Sequence, residues 1–222
     1  MLRPTINSDA KPEGLEKIVV TKDEDVEKAV RIYHDLNYEE LQYSAWDDIK
    51  KRYHCMKLPM LTPAQIDFTL QHIINKTTTQ QTNHHITGLY ITHLIQESYN
   101  AGNNNFTINT KDTNINCLAD KLAGTKKQPL QLTIQGNTGN NCGHSIKHSQ
   151  LTIQGNTRNN CGHSIKHSII VIKGSAGYWI GRDAKKSIFG TNNIATYERL
   201  KRHVQEGNKI ILYENTIDTR TV

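Results

Sequence analysis

From Leu132 onward, apolar and polar positions return in the same order every nineteen residues. Leu132-Thr133-Ile134-Gln135 alternates as a strand buried on one face does, and Gly136-Asn137 forms a corner after it. An Asn-rich stretch follows, in which Cys142 and Ile146 are apolar. Leu151 to Ser168 repeats Leu132 to Ser149 with a single change, Gly139 to Arg158. A third, diverged copy from Ile170 to Ser187 shows which positions the pattern requires. Gly136/Gly155/Gly174, Gly143/Gly162/Gly181 and Ser149/Ser168/Ser187 persist. Leu132/Leu151/Ile170, Ile134/Ile153/Ile172, Cys142/Cys161/Ile180 and Ile146/Ile165/Ala184 stay apolar. One such unit cannot bury its own apolar face, so the copies must stack, roughly 4.8 Å apart, with like residues in ladders. The pattern predicts a coiled β-solenoid with Ile134, Ile153 and Ile172 as an inward spine.

The flanks read differently. Residues 1 to 14 form a loose tail, and Leu15 to Val20 is extended or a short strand. Thr21-Lys22-Asp23-Glu24 has the form of a capping box, and Val26, Ala29, Val30 and Tyr33 then recur at helical spacing to about Asn37. A second helix is expected over Tyr38 to Tyr53. Thr62-Pro63-Ala64-Gln65 starts another, with Thr as N-cap and Pro at the first helical position. A further helix runs from about Asn83 to Ala101, with Gly102 as C-cap. Phe106-Thr107-Ile108-Asn109 looks like a worn first strand of the repeat. Beyond Gly190, Ala195 to Gln205 predicts a helix, and Lys209 to Tyr213 predicts a final strand that caps the far end. The expected organisation is 1–60, tail and helical segment; 61–102, a helical pair covering one end; 103–191, the repeats; and 192–222, the opposite cap.

Composition adds bounds. Hydrophobic residues make up 36% of the 222, which is low, but a thin solenoid core needs few. No apolar run approaches the roughly 18 residues of a membrane span. Met1-Leu2-Arg3-Pro4 opens no apolar signal region, so the cytoplasm is the expected compartment. Cys55, Cys117, Cys142 and Cys161 are too few for a disulfide framework in this length. The formal net charge is +6, and from Lys121 to Arg182 there is no Asp or Glu. That asymmetry suits an anionic partner for the repeats, or attraction between the basic repeats and the acidic first 50 residues.

Two constellations carry chemistry. Cys142, His144, Cys161 and His163 offer the residue types of a tetrahedral zinc site. Ile180 at the third copy's cysteine position instead favours buried thiols, so no metal or other cofactor is expected. The second constellation is cationic, with His144/His163/Arg182, Lys147/Lys166/Lys185 and His148/His167/Lys186 at matching positions. Like charges one coil apart repel by roughly 0.9 kcal/mol in water before screening. Splayed side chains on a solvated face, a bound anion, the acidic N-terminal half, or neutral histidines would each relieve that. No phosphate loop, nucleophile elbow or isolated acid–base pair is present, so no enzyme is expected.

The run Gly-Asn-Thr-Gly-Asn-Asn-Cys-Gly with Leu-Thr-Ile-Gln-Gly resembles the glycine-repeat domain at the C-terminus of the glutamate synthase large subunit. A similar module occurs in the formylmethanofuran dehydrogenase C subunit. The likeness rests on Gly136, Gly139, Gly143, Gly155, Gly162, Gly174, Gly177 and Gly181, and covers residues 106 to 190. The layout, with helices leading into the repeat, is similar to small uncharacterised archaeal proteins. The resemblance implies a short right-handed parallel β-helix of about four coils and carries over no catalytic residues; with the N-terminal helical region and the C-terminal helix–strand cap, the expected fold class is α+β. His148-Ser149, His167-Ser168 and Lys186-Ser187 depart from it, standing where that family has glycine pairs. The leading functional expectation is a non-enzymatic scaffold with a protein partner, self-association being open to it. The alternatives are nucleic-acid or other polyanion binding through His144, Lys147, His148, His163, Lys166, His167, Arg182, Lys185 and Lys186, and an accessory subunit of an amidotransferase-like or redox complex.

Overall fold

The computed structural model describes residues 23–36, 58–76 and 84–213. The expected lead-in at Leu15 to Val20 and the helix at Tyr38 to Tyr53 lie outside the described residues. Six strands form one all-parallel open sheet in chain order: β1 (Asn105–Asn109), β2 (Leu130–Gln135), β3 (Ser149–Ile153), β4 (Ile169–Ile172), β5 (Ile188–Thr191) and β6 (Lys209–Leu212). The helices described are α1 (Glu24–His34), α2 (Pro63–Lys76), α3 (His84–Asn100) and α4 (Ile194–His203).

This corrects the expected fold. The structure shows a single parallel sheet with helices, an α/β arrangement, and no β-helix. The second segment of each repeat does not become a strand, and its backbone gives the reason. Asn141, Gly143 and Ser145 all have left-handed φ, as do Asn160, Gly162 and Ser164, then Trp179, Gly181 and Asp183. Every second residue is thus outside the β region, so no regular ladder can form. Backbone hydrogen bonds still join the coils there, such as the Ser145 N–H to the His163 carbonyl and the Gly162 N–H to the Cys142 carbonyl, but the strand-type bridges are single ones, Ala123 to Lys147, Lys147 to Lys166 and Lys166 to Lys185. β6 continues the sheet in parallel beside β5, reached through α4 as a strand–helix–strand crossover.

Register within the sheet follows the repeat. Leu132 pairs with Leu151 and Ile134 with Ile153, then Leu151 with Ile170 and Ile153 with Ile172. Phe106 and Ile108 extend both rows one strand earlier, opposite Leu132 and Ile134. Ile108, Ile134, Ile153 and Ile172 are at most 1% exposed, and Cys142, Cys161 and Ile180 close the core from the opposite side at 0%.

Helices at both ends of the stack satisfy backbone groups of the terminal coils. On α2, Asp67 accepts from the Asn109 N–H at 2.7 Å, and Gln71 donates to the Asn109 carbonyl at 2.6 Å. On α3, Thr92 accepts from the Ala119 N–H at 2.8 Å, and Gln96 both accepts from and donates to the backbone of Ala123. At the far end Thr196 of α4 accepts from the Ala176 N–H, and the Arg199 guanidinium bonds the Ala176 carbonyl. Asn208, just before β6, accepts from the Ser187 N–H and donates to the Ala184 carbonyl, each at 2.9 Å.

The helix starts follow sequence chemistry, with one shift. Thr62 and Gln65 close a reciprocal box, Thr62 N–H to Gln65 Oε1 at 2.8 Å and Gln65 N–H to Thr62 Oγ1 at 3.4 Å. For α1 the cap is Asp23, which accepts from the Val26 N–H, two residues later than a Thr21 cap would place it.

Candidate nucleic-acid interface

Each repeat turns from its irregular return segment into its strand at Lys147-His148-Ser149, Lys166-His167-Ser168 or Lys185-Lys186-Ser187. The serine shapes that corner. Its hydroxyl donates to the lysine carbonyl two residues back, at 2.7 Å for Ser149, 2.8 Å for Ser168 and 2.9 Å for Ser187. It also accepts from the serine N–H of the previous coil, Ser149 to Ser168 at 3.2 Å and Ser168 to Ser187 at 3.3 Å. The residue between, His148, His167 or Lys186, takes a left-handed φ of 45° to 50°. This buried serine column therefore sets both neighbours outward in rows.

The first row is Lys147, Lys166 and Lys185, exposed and in register on adjacent coils. Among the described residues no carboxylate lies within ion-pair distance of these three ammonium groups. Beside them runs a groove of about 460 Å³, lined also by Lys121, Ser145, Ser164 and Asp183. The second row is His148, His167 and Lys186. The two imidazoles stack with centroids 5.0 Å apart and planes 4° from parallel. They line a second groove, of about 500 Å³, together with Lys126, Lys186, Pro129, Ile169 and Ile188. Its described lining includes no acid.

The third row, His144, His163 and Arg182, is answered by acids. His144 Nδ1 lies 2.8 Å from Asp120, and His163 Nε2 lies 3.3 Å from Asp183, which also meets Arg182 at 3.6 Å. His144 and His163 stack at 5.3 Å. Burial, then the neighbouring His144, holds the His163 imidazole below its ordinary value despite Asp183. The structure thus divides the expected site. Lys147, Lys166, Lys185, His148, His167 and Lys186 stand on a corner without ion-paired acids, whereas His144, His163 and Arg182 meet carboxylates beside it.

The zinc alternative does not assemble. The Cys142 and Cys161 thiols are fully buried in the core, while His144 and His163 leave the segment on its outer side. The adjacent Cys161 thiol and burial together push the Cys142 thiol well up. No group of three or more His, Cys, Asp or Glu side chains converges among the described residues.

Sequence reasoning missed Lys121, Lys126, Ser145 and Ser164 as lining residues. Ser145 and Ser164 repeat nineteen apart and were legible, but Lys121 was not. It belongs to the longer first coil, where Ala123 rather than Gln128 opposes Lys147, so counting back by nineteen passes over it. No family model matches the chain, and no curated protein or solved structure matches it. Among the described residues no helix is long and apolar enough to cross a membrane.

Proposed function

We propose that this protein binds single-stranded RNA along the Lys/His corner, holding it without making or breaking a bond. The observation that supports this reading is the row of three lysines one strand spacing apart, with no carboxylate in ion-pair contact, flanked by two grooves. A phosphate chain laid along the stack would meet a cation at each coil, and each contact would release a condensed counterion. The hydroxyls of Ser145 and Ser164 in the groove lining add hydrogen-bond partners for phosphate oxygens. Exposed lysines on flexible stems suit a sequence-tolerant grip, since base identity is read by other means.

The test is fluorescence anisotropy of a labelled oligo(U) of about 20 nucleotides between about 50 and 200 mM KCl. Three to five phosphate contacts predict a log–log salt slope of about −2 to −3.5. Lys147→Glu with Lys166→Glu is expected to remove binding. Absence of binding at the lowest salt, or full affinity in the double variant, overturns the reading.

A further inference from the structure

Trp179 and Tyr178 are 49% and 64% exposed, more than any other large aromatic side chain among the described residues. Nothing in the repeat requires an aromatic pair there. Trp179 follows Asn141 and Asn160 in the stack, where the Asn160 amide donates to the Asn141 side-chain oxygen at 3.0 Å. All three have left-handed φ, 59°, 60° and 54° in chain order. Asparagine tolerates that backbone readily, and a bulky side chain rarely adopts it. The third copy thus replaces a residue suited to the position with one that is not, and leaves its ring in water.

The surroundings are those of a stacking site. Along this return segment Trp179, Arg182 and Lys185 are exposed while Ile180, Gly181 and Ala184 are buried, so the indole and the lysine both reach solvent from one segment. Trp179 and Lys185 lie six positions apart in the chain, so they stand at most about 21 Å from one another, within one strand-binding site. The Arg199 guanidinium lies 5.7 Å from the Tyr178 ring centroid, holding that ring from the α4 side.

Resting on the RNA reading above, we infer that Trp179, with Tyr178 beside it, is a platform on which a base of the bound strand stacks. The ligand class is then a base-bearing single strand, and a base-free polyanion meets only the lysines. A π-face accepts any base, so this contact strengthens binding without selecting sequence.

The test compares the wild-type chain with Trp179→Asn, the residue that the two preceding copies carry, so the fold is retained. Each is titrated with oligo(U) and, separately, with inorganic polyphosphate while tryptophan emission is followed. Trp46 is present in both proteins, so the difference between their emission changes reports Trp179. Oligo(U) is expected to quench wild-type emission and polyphosphate is not. Trp179→Asn is expected to lose the quenching and to bind oligo(U) about 5- to 150-fold more weakly, with polyphosphate affinity unchanged. Trp179→Phe is expected to recover part of the oligo(U) affinity. Tight oligo(U) binding with no quenching, and equal affinity in Trp179→Asn, overturns the platform and leaves RNA binding standing. Absence of oligo(U) binding by the wild-type chain removes both.

Discussion

Lys166 sits between Lys147 and Lys185 with no ion-paired acid to offset it, so removing its charge should stabilise the free protein while weakening RNA binding. Adjacent coils are about 4.8 Å apart. At that separation two unit charges repel by roughly 0.9 kcal/mol in water. Lys166→Gln relieves two such contacts, about 1.7 kcal/mol as an upper limit. At about 0.15 M salt the Debye length of about 8 Å reduces this to about 1 kcal/mol, and at about 1 M to about 0.3 kcal/mol. Splaying of the exposed stems lowers each figure further, so about 0.5 kcal/mol is expected at physiological salt. For a chain of this length that raises the melting temperature by about 1 to 2 °C. Thermal melts of the wild type and Lys166→Gln at about 10 mM, 150 mM and 1 M NaCl measure the gain and its decay. Oligo(U) affinity measured on the same samples should move the opposite way, since the charge that strains the free surface is the one a phosphate neutralises. A variant no more stable than wild type at the lowest salt would refute the reasoning. So would a gain undiminished at the highest, which would place its origin in packing or in the unfolded chain.

Two further outcomes follow from the core and from acid titration. Ile153→Ala removes a fully buried side chain from the middle of the stack and should cost about 2 to 5 kcal/mol in urea unfolding. Ile211→Ala on exposed β6 should stay within about 0.5 kcal/mol of wild type. His163 is depressed below its ordinary 6.5 in the fold, chiefly by burial, and His85 is shifted the same way for the same first reason. Below about pH 6.5 the unfolded chain therefore holds protons that the folded chain releases, so stability falls on acidification and levels off above that pH. Urea midpoints between about pH 8 and 5 should show this. His163→Gln should flatten the curve in part, leaving the His85 contribution.

What could be read from the sequence depended on how many copies reported on a position. The alternating Leu132/Ile134 pair occurs three times with apolar replacements only, and its register appears in the sheet as Leu132–Leu151–Ile170 and Ile134–Ile153–Ile172. The return segment misled because its residue types only partly announce φ. Cys142 and Ile146 are buried as their apolar character requires, yet the left-handed residues at 141, 143 and 145 keep the segment from joining a second sheet. Gly143 and, more weakly, Asn141 advertise such a conformation in their chemistry, and Ser145 does not. The abundant asparagines carried a signal that strand-and-corner reasoning does not use. Asn137 accepts from the Asn156 N–H and Asn156 from the Ser175 N–H, each at 2.8 Å, so the side chains add inter-coil bonds to those the backbone makes there.

The candidate interface was only half legible for a related reason. Lysines nineteen apart identify a row, but nothing in the row tells which cations keep an acidic partner. That depends on Asp120 and Asp183, the residues that bound the acid-free run, each of which folds back onto a histidine of the nearest repeat. Asp183 also lines the lysine groove, but both carboxylates make their ion pairs within one column of side chains. They answer the His144/His163/Arg182 column and leave the Lys147/Lys166/Lys185 column to solvent. The unpaired charge is thus fixed by where the repeat stops as much as by what it repeats. Moving an acid into the run, at Ser145 or Ser164 in the groove lining, would be the shortest route to silencing the surface without touching a lysine.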